Sequence, residues 1–139
     1  MKIRIDFNCV VKDNPAKTAA GAVSEDLNPL LLAYAWKPKK CEALMSFIGD
    51  FAEYEKECQV ELDEGNSVKC MAVSNDVRGA ILLVNLAKTA KPIRLECLGM
   101  TVDTLRLIDN NRTDVVVPML ASLPPLSILL IKCSAEKES

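Results

Sequence analysis

The chain has 139 residues, with 17 Lys+Arg against 19 Asp+Glu, half of its residues hydrophobic, 4% aromatic and no histidine. A formal charge of −2 argues against an electrostatic footprint for nucleic acid or anionic membrane. Without histidine, the Ser-His-Asp and Cys-His arrangements and every His-ligated metal site are excluded. This length fits one domain spanning 1–139, large enough to bury a core without disulfide staples.

Residues 2–11 alternate, with Ile3, Ile5, Phe7, Cys9 and Val11 on one face and Lys2, Arg4, Asp6 and Asn8 on the other. That is the period of a half-buried strand. Met1, Lys2, Ile3, Arg4, Ile5 and Asp6 lack an apolar signal region, so the expected location is the cytoplasm. Residues 12–29 are small and polar, broken by Pro15 and Pro29, and read as loop or short helical turns. Together, residues 1–38 form an N-terminal strand and loop.

A helix is predicted over about residues 39–56. Cys41, Leu44, Met45, Ile48, Phe51 and Ala52 make an apolar stripe at helical spacing, and Pro38 suits a helix start. Leu44, Met45, Ile48 and Phe51 are the expected packing and interface residues.

From residue 57 to 134 the texture is short strands separated by turns. Residues 59–62 and 67–74 flank a turn at Asp63, Glu64, Gly65 and Asn66. Residues 80–86 form a nearly continuous apolar run, as expected of a strand buried on both faces. Ile93, Leu95 and Cys97 follow on another strand. Residues 102–108 and 113–117 are split by Asp109, Asn110 and Asn111. A loop over 118–125 precedes the last strand, 126–133, and residues 135–139 form a charged, flexible tail. The fold class that follows is mainly β: an antiparallel β-sandwich with one packed α-helix.

Six cysteines at positions 9, 41, 58, 70, 97 and 133 contain no C-x-x-C pair. They read as buried reduced thiols, with Cys58 and Cys70 as the candidate disulfide if one forms. No metal and no cofactor are expected. The carboxylates Asp50, Glu53, Glu55 and Glu57 read as a solvated helix face rather than an acid/base pair. All aromatic residues (Phe7, Tyr34, Trp36, Phe47, Phe51 and Tyr54) precede residue 55. A sugar site would therefore have Tyr34 and Trp36 as its platform, against the alternative that both pack in the core. The apolar half of the composition predicts surface left over for another protein domain or for self-association.

The order of elements resembles the C-terminal part of the (β/α)8-barrel retaining glycoside hydrolases. Tyr34, Trp36, Lys37 and Pro38 lead into the helix. A glycine-led apolar strand ending in Asn85 and Leu86 follows, and the last strand is introduced by Leu123, Pro124 and Pro125. The resemblance covers about residues 30–133. It implies a β-sandwich with the last barrel helix, which packs against the barrel. The family's catalytic glutamates sit on barrel strands, so the resemblance places none in this chain and implies no enzyme activity of its own. The function expected is that of a non-catalytic accessory or assembly domain. The alternatives are a stand-alone small oligomeric binding protein, or a weak carbohydrate-binding module using Tyr34 and Trp36.

Overall fold

The computed structural model describes residues 1–13, 27–30, 32–34, 36–54, 56–62, 67–75, 77–109, 113, 115–117 and 121–135. The chain is mainly β, with a helix packed on the sheet. Its strands are β1 (Lys2–Asp13), β2 (Lys56–Leu62), β3 (Val68–Ser74), β4 (Arg78–Asn85), β5 (Lys91–Pro92), β6 (Arg94–Leu98), β7 (Met100–Ile108), β8 (Val115–Val117), β9 (Ser122–Leu123) and β10 (Ser127–Ala135). Eight strands form one sheet in the order β6-β1-β2-β3-β4-β10-β7-β8, and β5 pairs with β9. The pairs are antiparallel except β1 with β6, where Ile3 stands opposite Leu95 and Ile5 opposite Cys97. The sandwich therefore comes from a single sheet curled over itself, with one parallel pair.

Two cores lie on the two faces of that sheet. Strand β4 shows why: Ile81 and Leu83 face inward, while Ala80, Leu82 and Val84 face the helical layer. Strand β10 alternates likewise, with Leu129, Ile131 and Cys133 inside and Ile128 and Leu130 outside. The continuous apolar runs in the sequence are thus strands covered on both faces. Strand β10 lies between β4 and β7, matching Leu130 to Leu82 on one side and to Arg106 on the other.

The curl is closed by close approaches. A Cβ on Gly79 would lie 2.7 Å from both the Met100 sulfur of β7 and the Phe7 ring of β1. The absent side chain lets three non-adjacent strands meet inside. Gly99 joins β6 to β7 with φ +91°, a conformation that glycine adopts without steric penalty.

Several boundaries move. Strand β1 runs to Asp13, but its alternation fails after Phe7. Register shifts between Asp6 and Val10, and again between Val10 and Lys12, rotate the strand, leaving Val11 exposed and Cys9 only partly covered. The helix covers Pro38–Ala52 rather than 39–56, and β2 already begins at Lys56. Residues 27–29, expected as loop or short helical turns, are helical, as are residues 30, 32 and 33. The predicted loop at 118–125 contains β9. The predicted turn at residues 63–66, Glu55, residues 110–112 and the tail beyond Ala135 lie outside the described residues.

The helix stripe is also rotated from its expected phase. Leu44, Phe47 and Phe51 are buried against the sheet and Ile48 is half-buried, whereas Met45 is 57% exposed. Met45 is therefore not a packing residue within this domain. Each of the buried side chains contributes about 1.5–3 kcal/mol relative to exposure.

Candidate functional site

The segment from Tyr34 to Lys40 turns the chain from the first helical residues into the long helix. Its backbone is fixed by Tyr34 N–H to the Leu30 carbonyl at 2.8 Å and Lys37 N–H to the Tyr34 carbonyl at 2.8 Å. The Cys41 thiol donates to the same Tyr34 carbonyl at 3.2 Å. These bonds send neighbouring rings in opposite directions. Tyr34 is fully buried, and its hydroxyl donates to the Leu126 carbonyl ahead of β10. Trp36 stands 94% exposed.

Tyr34 is therefore a core residue and offers no face for stacking a ligand, which corrects its place in the expected platform. Trp36 alone presents an open ring. Burial raises the Tyr34 phenol pKa, and the Asp109 charge adds to the rise. Because the folded value lies above the ordinary 10.0, this group's contribution to stability is complete below pH 10 and is lost as pH rises, while the unfolded phenol ionises first. Tyr34→Phe is expected to cost about 1–2 kcal/mol at neutral pH. Above pH 10 the wild type should lose stability relative to the variant, by up to about 1.4 kcal/mol per pH unit. Denaturant midpoints for both proteins between pH 7 and 11 check this. Parallel curves would mean that the phenol titrates alike in the folded and unfolded chains.

The helix begins in an unusual way. Pro38 occupies the first turn as expected, but among the described residues no side chain caps the free N–H groups, and no acidic residue lies in that turn. Lys37, Lys39 and Lys40 surround it instead, against the helix dipole. Lys40 is only 5% exposed, and its ammonium lies 5.2 Å from the centre of the Tyr34 ring, with no hydrogen-bond partner among the described residues. Burial lowers its pKa, the Lys37 charge lowers it further, and Asp109 opposes both. An open cavity of about 490 Å³, lined by Lys37, Pro38, Lys39, Lys40 and Thr113, lies at this helix start. What the segment offers a ligand is one apolar ring face with exposed ammonium groups next to it in the chain.

Other polar clefts are smaller. One of about 140 Å³, lined by Arg4, Asp6, Gln59 and Glu61, crosses the outer face of β1 and β2. Glu61 stands opposite Arg4, and Lys2 pairs with Glu96 at 3.5 Å, so charge is largely balanced there. Asp50, Glu53 and Glu57 are at least partly solvent-exposed at the helix end and the start of β2. Asp109 is the buried carboxylate among the described residues, and its charge acts on Tyr34 and Lys40. Sequence reasoning read Asp109 only as part of the turn between two strands and did not single out Lys40, for which the available signal was three lysines, Lys37, Lys39 and Lys40, around the helix start. All six cysteines are free thiols, and Cys58 stands opposite Ala72 rather than Cys70. No group of three or more potential metal ligands occurs among the described residues.

The class defined by this architecture is a mainly-β domain with a helix packed on the outer face of a curled sheet. Glycoside hydrolases of known structure share it. A family 30 subfamily 8 xylanase from Clostridium acetobutylicum aligns over 94% of this chain with a TM-score of 0.57 and 10% identity. The catalytic domain of the GH30 xylanase C from Talaromyces cellulolyticus aligns over 68% with a TM-score of 0.55 and 14% identity. A family 44 xyloglucanase from Paenibacillus polymyxa aligns over 70% with a TM-score of 0.53 and 11% identity. This chain spans only 41%, 24% and 23% of those three proteins. At such identities the likeness is one of fold. No family model and no curated protein matches the sequence.

Proposed function

We propose that this chain is a non-catalytic accessory domain of glycoside-hydrolase type, whose work is to pack against another protein domain. The observation that carries the reading is the shared curled sheet with its packed helix, which makes up only part of each similar hydrolase. Exposed apolar side chains on the helical segments, Leu32, Trp36 and Met45, supply apolar surface for that contact. Asp109 is buried, and its charge acts on Tyr34 and on the nearly covered Lys40, a setting that also favours a domain without its own acid/base pair.

A second reading, a weak carbohydrate-binding module, is favoured by the exposure of Trp36 and the cavity at the helix start. It now rests on one ring, since Tyr34 is interior. One experiment addresses both readings. The purified chain is incubated with xylan and xyloglucan oligosaccharides at millimolar concentration, with reducing ends and tryptophan emission recorded. Trp36 is the sole tryptophan, so its signal belongs to one site. The expected result is no release of reducing ends and no change in emission. Release abolished by Asp109→Asn would overturn the accessory reading. Saturable quenching absent in Trp36→Ala would establish the second.

A further inference from the structure

The start of the long helix carries an unmet electrostatic demand. Lys40 is only 5% exposed, and its ammonium has no hydrogen-bond partner among the described residues. The face of the Tyr34 ring, 5.2 Å away, attracts the cation but gives its N–H groups no oxygen acceptor. A buried ammonium in that condition is costly. Its direction follows from the helix. Helical side chains tilt toward the N-terminus, and Tyr34 precedes the helix, so the Lys40 side chain runs back past the first turn. There Lys40 borders the open cavity of about 490 Å³ that Lys37, Pro38, Lys39 and Thr113 also line.

We propose that this cavity binds the dianionic phosphate group of a small organic ester, with the Lys40 ammonium as its buried anchor and Lys37 and Lys39 as its exposed cations. The backbone favours the same ligand. The Lys40 and Cys41 amides are tied back to the Lys37 carbonyl at 3.0 and 3.2 Å, whereas the Lys39 amide has no backbone partner among the described residues. The first turn holds no acidic residue and no side-chain cap among the described residues. An oxyanion placed there accepts from the Lys39 N–H and lies at the positive end of the helix dipole. It also gives Lys40 the acceptor it lacks.

The choice of phosphate over carboxylate follows from oxygen count and charge. A phosphate monoester carries nearly two negative charges at neutral pH and three strong acceptor oxygens. Those oxygens can meet the Lys39 amide, the Lys40 ammonium and one exposed lysine together. A carboxylate brings one charge and two oxygens to the same groups. Trp36, which precedes Lys37 and is open to solvent, offers apolar surface to the organic part of the ester. Asp109 acts on Lys40 through its charge but does not hydrogen-bond to it, so the ammonium keeps its donors for the ligand.

The test titrates the whole chain with phenyl phosphate, and separately with inorganic phosphate, at constant ionic strength. Calorimetry reads the binding and thermal unfolding reads the stabilisation. Phenyl phosphate should bind saturably at one site and raise Tm as its concentration rises. Inorganic phosphate should bind more weakly; binding as tight as that of the ester would overturn the assignment to an ester. Lys40→Met keeps the apolar stem, deletes the charge and should weaken phenyl phosphate binding about tenfold or more. Lys69→Met, which removes a lysine from an exposed position on β3, should leave it unchanged. If Lys40→Met does not fold, amide NMR of the wild type decides, with the largest ligand-induced shifts expected at Lys39 and Lys40. Absence of saturable binding, equal weakening by the two variants, or largest shifts away from the helix start would overturn the proposal.

Discussion

Phe47→Ala is expected to lower the free energy of unfolding by about 3–5 kcal/mol, among the larger effects of a single truncation in this domain. Phe47 is buried between the helix and strands β4, β7 and β10, and its ring carries the Arg106 guanidinium at 5.9 Å. The truncation removes apolar contact and opens a cavity in a layer that side chains from a rigid sheet cannot easily refill. It also strips one partner from a partly covered cation. Met45→Ala, two positions away on the same helix, should change stability by about 0.5 kcal/mol or less, because that side chain projects outward. Denaturant unfolding followed by circular dichroism compares the two. Equal losses would mean that the helix is rotated from the orientation described.

The second large effect is expected at Gly99. The residue holds φ +91°, and an added Cβ would lie 2.8 Å from the Asn8 side-chain oxygen. Gly99→Ala therefore meets two separable penalties, backbone strain and collision, together about 1–3 kcal/mol. Shortening Asn8 relieves only the collision. Gly99→Ala combined with Asn8→Ala should thus recover part of the loss measured against Asn8→Ala alone, and the remainder reports the backbone. Full recovery would mean that the positive φ is not maintained in solution.

Much of the fold was legible because burial on two faces leaves a mark that period alone does not. Residues 80–86 and 126–131 are apolar at almost every position, and they became β4 and β10, the strands between the two cores. The helix was legible from its stripe, but the phase was not. Leu44 and Met45 are adjacent and both apolar, so composition could not decide which would face the sheet. The sheet surface decided, selecting Leu44, Phe47 and Phe51. Beyond Phe7, β1 departed from its pattern because register shifts rotate a strand without altering the residues in it. The parallel pairing of β1 with β6 joins segments about ninety positions apart, for which no local signal exists. At the candidate site, Tyr34 and Trp36 lie two positions apart in a turn, where neither helical nor strand period applies. Hydrogen bonds from Tyr34 to Leu30 and Leu126 settle which ring goes inside.

The position of β10 between β4 and β7 also sets the order in which the molecule can be completed. As the polypeptide is synthesised, residues 2–108 can supply β1 to β4 on one side and β7 on the other. The two parts have no strand to join them until Ser127–Ala135 emerges. Before that moment β4 and β7 each present an unpaired edge rich in Leu, Val and Ile, the kind of edge that recruits strands from other chains. The last strand is thus the keystone of the sheet. A released chain that stops shortly before residue 127 would therefore display two open edges, a natural substrate for chaperones that recognise extended apolar segments.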